Sequence, residues 1–140
     1  TKTQVQTLLS DPQMAEIKLT QEQAKNFIVV DYDRYYPFAP GMALIKSPGH
    51  TPGSQMIYVA LDSGKEFIFA SDVAWHMDGV SSITGKDAPW ITEDEGAIKG
   101  ELTWLNAITK AEKNVTVVLS HDEEQRMDYI KQKLPGDRLE

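Results

Sequence analysis

The chain has 140 residues, 41% hydrophobic and 25% charged, enough for one domain with a real core and ordinary for a globular protein. A formal net charge of -7 argues against a nucleic-acid groove or an anionic membrane as partner, and no apolar run reaches the length of a membrane span. There is no cysteine, so disulfides, thiolate nucleophiles and zinc–thiolate sites are excluded, which is compatible with a cytoplasmic location.

Residues 1–40 read as a variable N-terminal segment with a short helix. The chain starts at Thr1 and not at Met, which points to a processed terminus or to a piece of something longer. The first stretch is polar, rich in Gln and Thr, with one apolar pair at Leu8 and Leu9. Thr20 and Gln23 have the spacing of a capping box, in which each side chain satisfies the other residue's backbone N–H and opens a helix. Residues 27–30 (FIVV) form a brief apolar run expected as a strand. Residues 35–38 (YYPF) are aromatic and contain a proline, which suits an edge strand or an extended loop.

Residues 41–140 carry the sharper signals. Strands are expected at 42–45 (MALI), 55–61 (QMIYVAL) and 66–70 (EFIFA), the last two joined as a hairpin around Asp62-Ser63-Gly64. Both hairpin runs are almost continuously apolar, so this sheet is expected to be covered on both faces. Residues 79–94 read as a loop. Ile98, Leu102, Leu105 and Ile108 recur at helical spacing and predict an amphipathic helix to about residue 112, ended by Asn114. Residues 115–119 (VTVVL) predict a buried strand. Asp122 and Gln125 form a second candidate capping box, and Met127, Ile130 and Leu134 form the inner stripe of a last helix stopped by Pro135-Gly136. The order of strands, helix, strand, helix predicts an α/β layered unit.

Residues 47–54 read SPGHTPGS, two Pro/Gly breakers around one histidine, directly after a strand. Such a stretch is a tight loop, either an ordinary turn with a surface imidazole or a rigid mount for a ligand or catalytic group. Two more apolar runs also close on a ligand-type residue, EFIFAS at Asp72 and VTVVLS at His121. Neighbouring strand ends converge, and imidazole with carboxylate suits Zn²⁺ or a similar divalent ion. Asp72 could equally be a turn or capping carboxylate, and His121 a loop residue kept neutral by the following helix dipole. Spacing alone does not separate these readings.

The set SPGHTPGS, FASDVAW, LSHDEEQ resembles, in order and approximate spacing, the last three motifs of the metallo-β-lactamase-fold hydrolases. The resemblance runs over residues 41–134. SHDEEQ is most similar to the lactonases that open acyl-homoserine lactones, with glyoxalase-II-type thioesterases as relatives. The β-lactamases proper use a cysteine near the Asp72 position, which this chain lacks. The resemblance implies the C-terminal half of an αβ/βα sandwich, a mostly antiparallel sheet covered by helices. It implies His50 as ligand of a first metal, Asp72 as catalytic bridge between two, and His121 as ligand of the second. The ions would be zinc, with iron or manganese as options, and a metal-bound hydroxide would attack a lactone, thioester or related small-molecule ester. Trp75 stands where the lactonases carry a tyrosine; without an acidic hydroxyl it is expected as a pocket wall or core residue. His76 is expected as a loop histidine, and Ser71 replaces the family's glycine before the aspartate.

The superfamily's H-x-H-x-D-H element is absent from this chain, whose histidines are His50, His76 and His121 alone. The sequence is therefore expected to be half of a hydrolase, inactive by itself, binding metal weakly, and exposing an apolar sheet face that invites homodimerisation. Two alternatives stand beside it: a non-catalytic half-fold that self-associates or binds a partner, and a mononuclear His50/Asp72/His121 hydrolase.

Overall fold

Short apolar runs and one helical stripe build a single five-stranded sheet backed by a long helix; the computed structural model describes residues 2–10 and 20–132. The strands are β1 (Tyr35–Ala39), β2 (Met42–Lys46), β3 (Gln55–Ala60), β4 (Glu66–Phe69) and β5 (Val115–Val118), in the spatial order β1-β2-β3-β4-β5. The first three pairings are antiparallel and β4–β5 is parallel, so the sheet is mostly antiparallel as expected. The parallel step needs a crossover, supplied by α3 (Met77–Ser82) and α4 (Glu95–Ala111). The remaining helices are α1 (Lys2–Ser10), α2 (Gln21–Ala24) and α5 (Glu123–Lys131).

Register assigns the faces. Ala43, Tyr58, Ile68 and Val117 form one cross-strand row, and Ile45 pairs with Met56 beside it. Tyr58, Ile68, Val117, Ile45 and Met56 meet the stripe Ile98, Leu102 and Leu105 of α4 in the main core, joined by Val73, Ala74 and Val80 from the crossover. The opposite face carries the row Leu44, Ile57, Phe69 and Val118. Ile57 is 39% and Phe69 41% exposed, so the expectation of a hairpin covered on both faces fails for these residues. The near-continuous apolar pattern is real, but the described residues bury only one side of it.

Three further expectations are corrected. Residues 27–30 form no strand: the chain leaves α2 through a turn, and Phe27, Ile28 and Val29 stay exposed with no strand among the described residues beside them to accept a ladder. Short apolar runs become strands only where a partner edge exists. Residues 79–94 are not loop throughout, because α3 occupies their start. Its sequence MDGVSS is a poor helix former. It is held by burial of Val80 and by Asn106 of α4, whose amide donates to the Val80 and Ser81 carbonyls at 3.0 Å each. The stripe on α5 is not an inner one: Met127 is 42% and Ile130 36% exposed, while Leu134 and the Pro135-Gly136 stop lie outside the described residues.

The Thr20–Gln23 capping box forms as expected. Its counterpart at α5 is half realised. Asp122 accepts from Gln125 N at 2.9 Å, but Gln125 turns its side chain back to Leu119 N and Val117 O, tying α5 to β5.

Candidate metal centre

The loop 47–54 leaves β2 and returns to β3 through its own hydrogen bonds, Ser47 N to Ser54 O at 2.9 Å and Thr51 N to Ser54 Oγ at 3.0 Å. Gly49 takes φ +148°, and a Cβ there would lie 2.8 Å from Ile98 Cδ1, so glycine is required where the loop abuts the start of α4. The Gly49 carbonyl accepts from Asp94 N at 3.0 Å, and Asp94 also caps α4 by accepting from Ala97 N. His50 is thus mounted on a loop braced against a helix terminus.

Asp72 follows β4 in a single 3₁₀ turn, Ser71–Val73. Ser71 has φ +53°, a left-handed conformation that glycine adopts without strain. His121 follows β5. Its neighbour Asp122 uses one oxygen for the α5 cap and the other to accept from Met77 N at 2.8 Å. That second bond links the segment after Asp72 to the segment carrying His121.

The three expected donors converge on Asp72. His121 Nε2 lies 2.8 Å from Asp72 Oδ1, and His50 Nε2 lies 3.9 Å from Asp72 Oδ2. All three remain partly open to solvent, with side-chain exposures of 35%, 32% and 57% for His50, Asp72 and His121. Two ligand atoms on one tetrahedral ion with bonds of about 2.1 Å stand about 3.4 Å apart. The observed spacings lie on either side of that value: the His121–Asp72 pair is closed on itself and the His50–Asp72 pair slightly open. Accordingly, among the described residues no group of three or more His, Cys, Asp or Glu stands arranged to hold an ion. The donor chemistry, two imidazoles and a carboxylate, suits a divalent metal.

His76 stands apart from the group. It is exposed, precedes α3, and makes no capping hydrogen bond with its side chain. Trp75 is half-buried and lines a cavity of about 340 Å³ with His76, Ser82 and Lys86, which agrees with a pocket wall. Sequence reading missed Glu93 and Lys86. Glu93 Oε1 contacts His50 Nδ1 at 2.6 Å and also accepts from Lys86 Nζ. Nothing in the local pattern marks either residue; only their burial, 9% and 2% exposed, distinguishes them from surface charges.

No family model matches the chain, and no curated protein matches its sequence significantly. Solved structures do match. One is an N-acyl homoserine lactone hydrolase with the product N-hexanoyl-L-homoserine bound at its catalytic metal center, at TM-score 0.65 and 18% identity, over 91% of this chain and 47% of that one. A quorum-quenching N-acyl homoserine lactone hydrolase matches at TM-score 0.65 and 18% identity, over 91% of this chain and 49% of that one. An AiiA variant from B. thuringiensis with N-decanoyl-L-homoserine at its active site matches at TM-score 0.64 and 18% identity, with coverage of 91% and 47%. The chain spans about half the length of the structures it matches. Its fold is that of the C-terminal half of a metallo-β-lactamase-type fold, the α/β architecture that the three motifs implied.

Proposed function

We propose that this chain is half of a metal-dependent hydrolase of lactone, thioester or related ester bonds, with His50, Asp72 and His121 as metal ligands. The observation that carries the reading is the meeting of three donors from three strand ends, two imidazole Nε2 atoms facing one carboxylate. The likeness to lactone hydrolases supports the reaction class. Zinc is the ion that suits the donor set best, with iron and manganese as alternatives.

A bound ion would supply water activation and carbonyl polarisation. The chain's own residues would hold and orient. His50 and His121 present Nε2 toward Asp72; these three side chains would hold the ions and so orient the attacking water, with Asp72 as the shared carboxylate, and Trp75 would serve as a pocket wall. Because H-x-H-x-D-H is absent, three donors shared between two ions leave both shells open, and the chain alone is expected to bind weakly and to lack activity. The exposed Ile57 and Phe69 favour one second reading, a self-associating half-fold that keeps the motif residues as turn chemistry.

Titrating Zn²⁺ into the chain while following the imidazole resonances, with calorimetry in parallel, tests the ligand set. The expected result is a dissociation constant weaker than about 10 μM, with His50 and His121 moving together and the binding lost in His50→Ala/His121→Ala. Binding that survives the double substitution would remove these ligands from the proposal. Tight binding of one ion per chain, lost in the double variant, would replace the half-site with a competent mononuclear site, to be tested for ester hydrolysis.

A further inference from the structure

We propose that Glu93, held in place by Lys86, is a positioning residue that fixes His50 in the tautomer whose Nε2 is bare for a metal ion; the inference rests on the ligand role given to His50 above. Two polar groups meet His50 Nδ1: Glu93 Oε1 at 2.6 Å and Lys86 Nζ at 3.4 Å. A carboxylate only accepts, so the short contact requires hydrogen on Nδ1. An ammonium only donates, and would require the opposite tautomer. The carboxylate contact is much the shorter, and a charge-assisted bond of that length dominates one at the limit of hydrogen bonding. With Nδ1–H donated to Glu93, the neutral ring carries its lone pair on Nε2, the nitrogen on the Asp72 side.

The rest of the cluster keeps Glu93 there. A carboxylate with little access to water is costly unless paired, and Lys86, itself 2% exposed, donates to the same Oε1. The Lys86 ammonium also lies 6.0 Å from the centre of the Trp75 ring, which follows Asp72 closely in the chain. On the other side, Asp94 N donates to the Gly49 carbonyl at 3.0 Å. That backbone bond joins the residue after Glu93 to the residue before His50. The carboxylate and imidazole are therefore aligned twice, through side chains and through backbone. Metal-bound histidines in general have their second ring N–H held by a carboxylate or carbonyl, and removing that partner weakens metal binding by about 10–100-fold.

The test begins without metal. In the metal-free chain, long-range ¹H–¹⁵N correlation of the imidazole rings should show His50 protonated at Nδ1 and bare at Nε2. Lys86→Met/Glu93→Leu removes the pair together, leaves no uncompensated buried charge, and so avoids the unfolding that Glu93→Ala alone invites. In that variant His50 should move toward the Nε2–H form, and its Zn²⁺ affinity should fall about tenfold. Glu93→Gln keeps an acceptor at Oε1 and should retain the wild-type tautomer and most of the affinity. An Nε2–H tautomer in the wild-type chain overturns the proposal, as does an Nδ1–H tautomer that persists in the double variant, or a tautomer change with Zn²⁺ affinity held within about twofold. Zn²⁺ that leaves the His50 resonances unmoved in the wild-type chain would remove the ligand reading itself. The two failures are distinguishable because the metal-free spectra do not depend on metal binding.

Discussion

Ser71 shows how a single residue stores strain beside a site. Its φ of +53° places an L-side chain in the left-handed region, at a cost of order 1–2 kcal/mol, immediately before Asp72. Glycine would relieve that strain and would lose part of the gain to its greater freedom in the unfolded chain. Ser71→Gly is therefore expected to stabilise the chain by about 0.5 kcal/mol, measured by urea denaturation. A loss of stability would show that the serine side chain makes a contribution larger than its backbone strain. Gly49 is the converse case. There the special conformation is already occupied by glycine, and Ile98 leaves no room for anything larger.

Among the elements, the junction of β5 and α5 carries the clearest pH signature. Tyr129 donates its hydroxyl to the Val117 carbonyl at 3.0 Å. Burial and then the nearby Asp122 charge push its phenol up to about 12. The folded state thus holds the proton after the unfolded chain has released it. The associated stability is fully present below pH 10, the ordinary tyrosine value, and is lost as pH rises through about 12. Absorbance titration at about 295 nm should show a component near pH 12 that Tyr129→Phe removes, and the variant's stability should fall less over the same window. A phenol that ionises near pH 10 would mean that α5 does not shield it. The same junction explains why the second capping box was only half legible. A side chain that can cap a helix can also reach a strand carbonyl, and Gln125 takes Val117 O and Leu119 N instead.

At the scale of the whole molecule, the row Leu44, Ile57, Phe69 and Val118 crosses four neighbouring strands on the face away from α4. Two large apolar members of it are about two-fifths exposed. A contiguous apolar row of this kind favours association. Sedimentation of the wild-type chain should show dimers or larger species at about 100 μM, and Ile57→Lys/Phe69→Lys should return it to monomer. A wild-type chain that is monomeric at that concentration would remove the self-associating half-fold from consideration. Arg34 shows the same scale working inward. Its guanidinium makes paired bonds to Glu101 at 2.6 and 2.8 Å and lies 5.0 Å from the Trp104 ring, fastening the segment before β1 to α4.

The sequence by itself determined the features whose causes are local. Short apolar runs and β-branching marked β2 to β5, the apolar stripe marked α4, Thr20 marked the start of α2, and the breakers around His50 marked a loop. The three candidate donors stood out because two of them directly follow an apolar run and the third sits in the breaker loop after one, and the end of a run can be read without knowing its neighbours. Only the tertiary structure decided the remainder. Whether 27–30 finds a partner edge, whether MDGVSS is held as a helix by Asn106, whether Glu93 and Lys86 reach His50, and which apolar face stays open are all settled between residues far apart in the chain. Such contacts arise from packing and leave no periodicity in the segments that make them, so no local pattern could announce them.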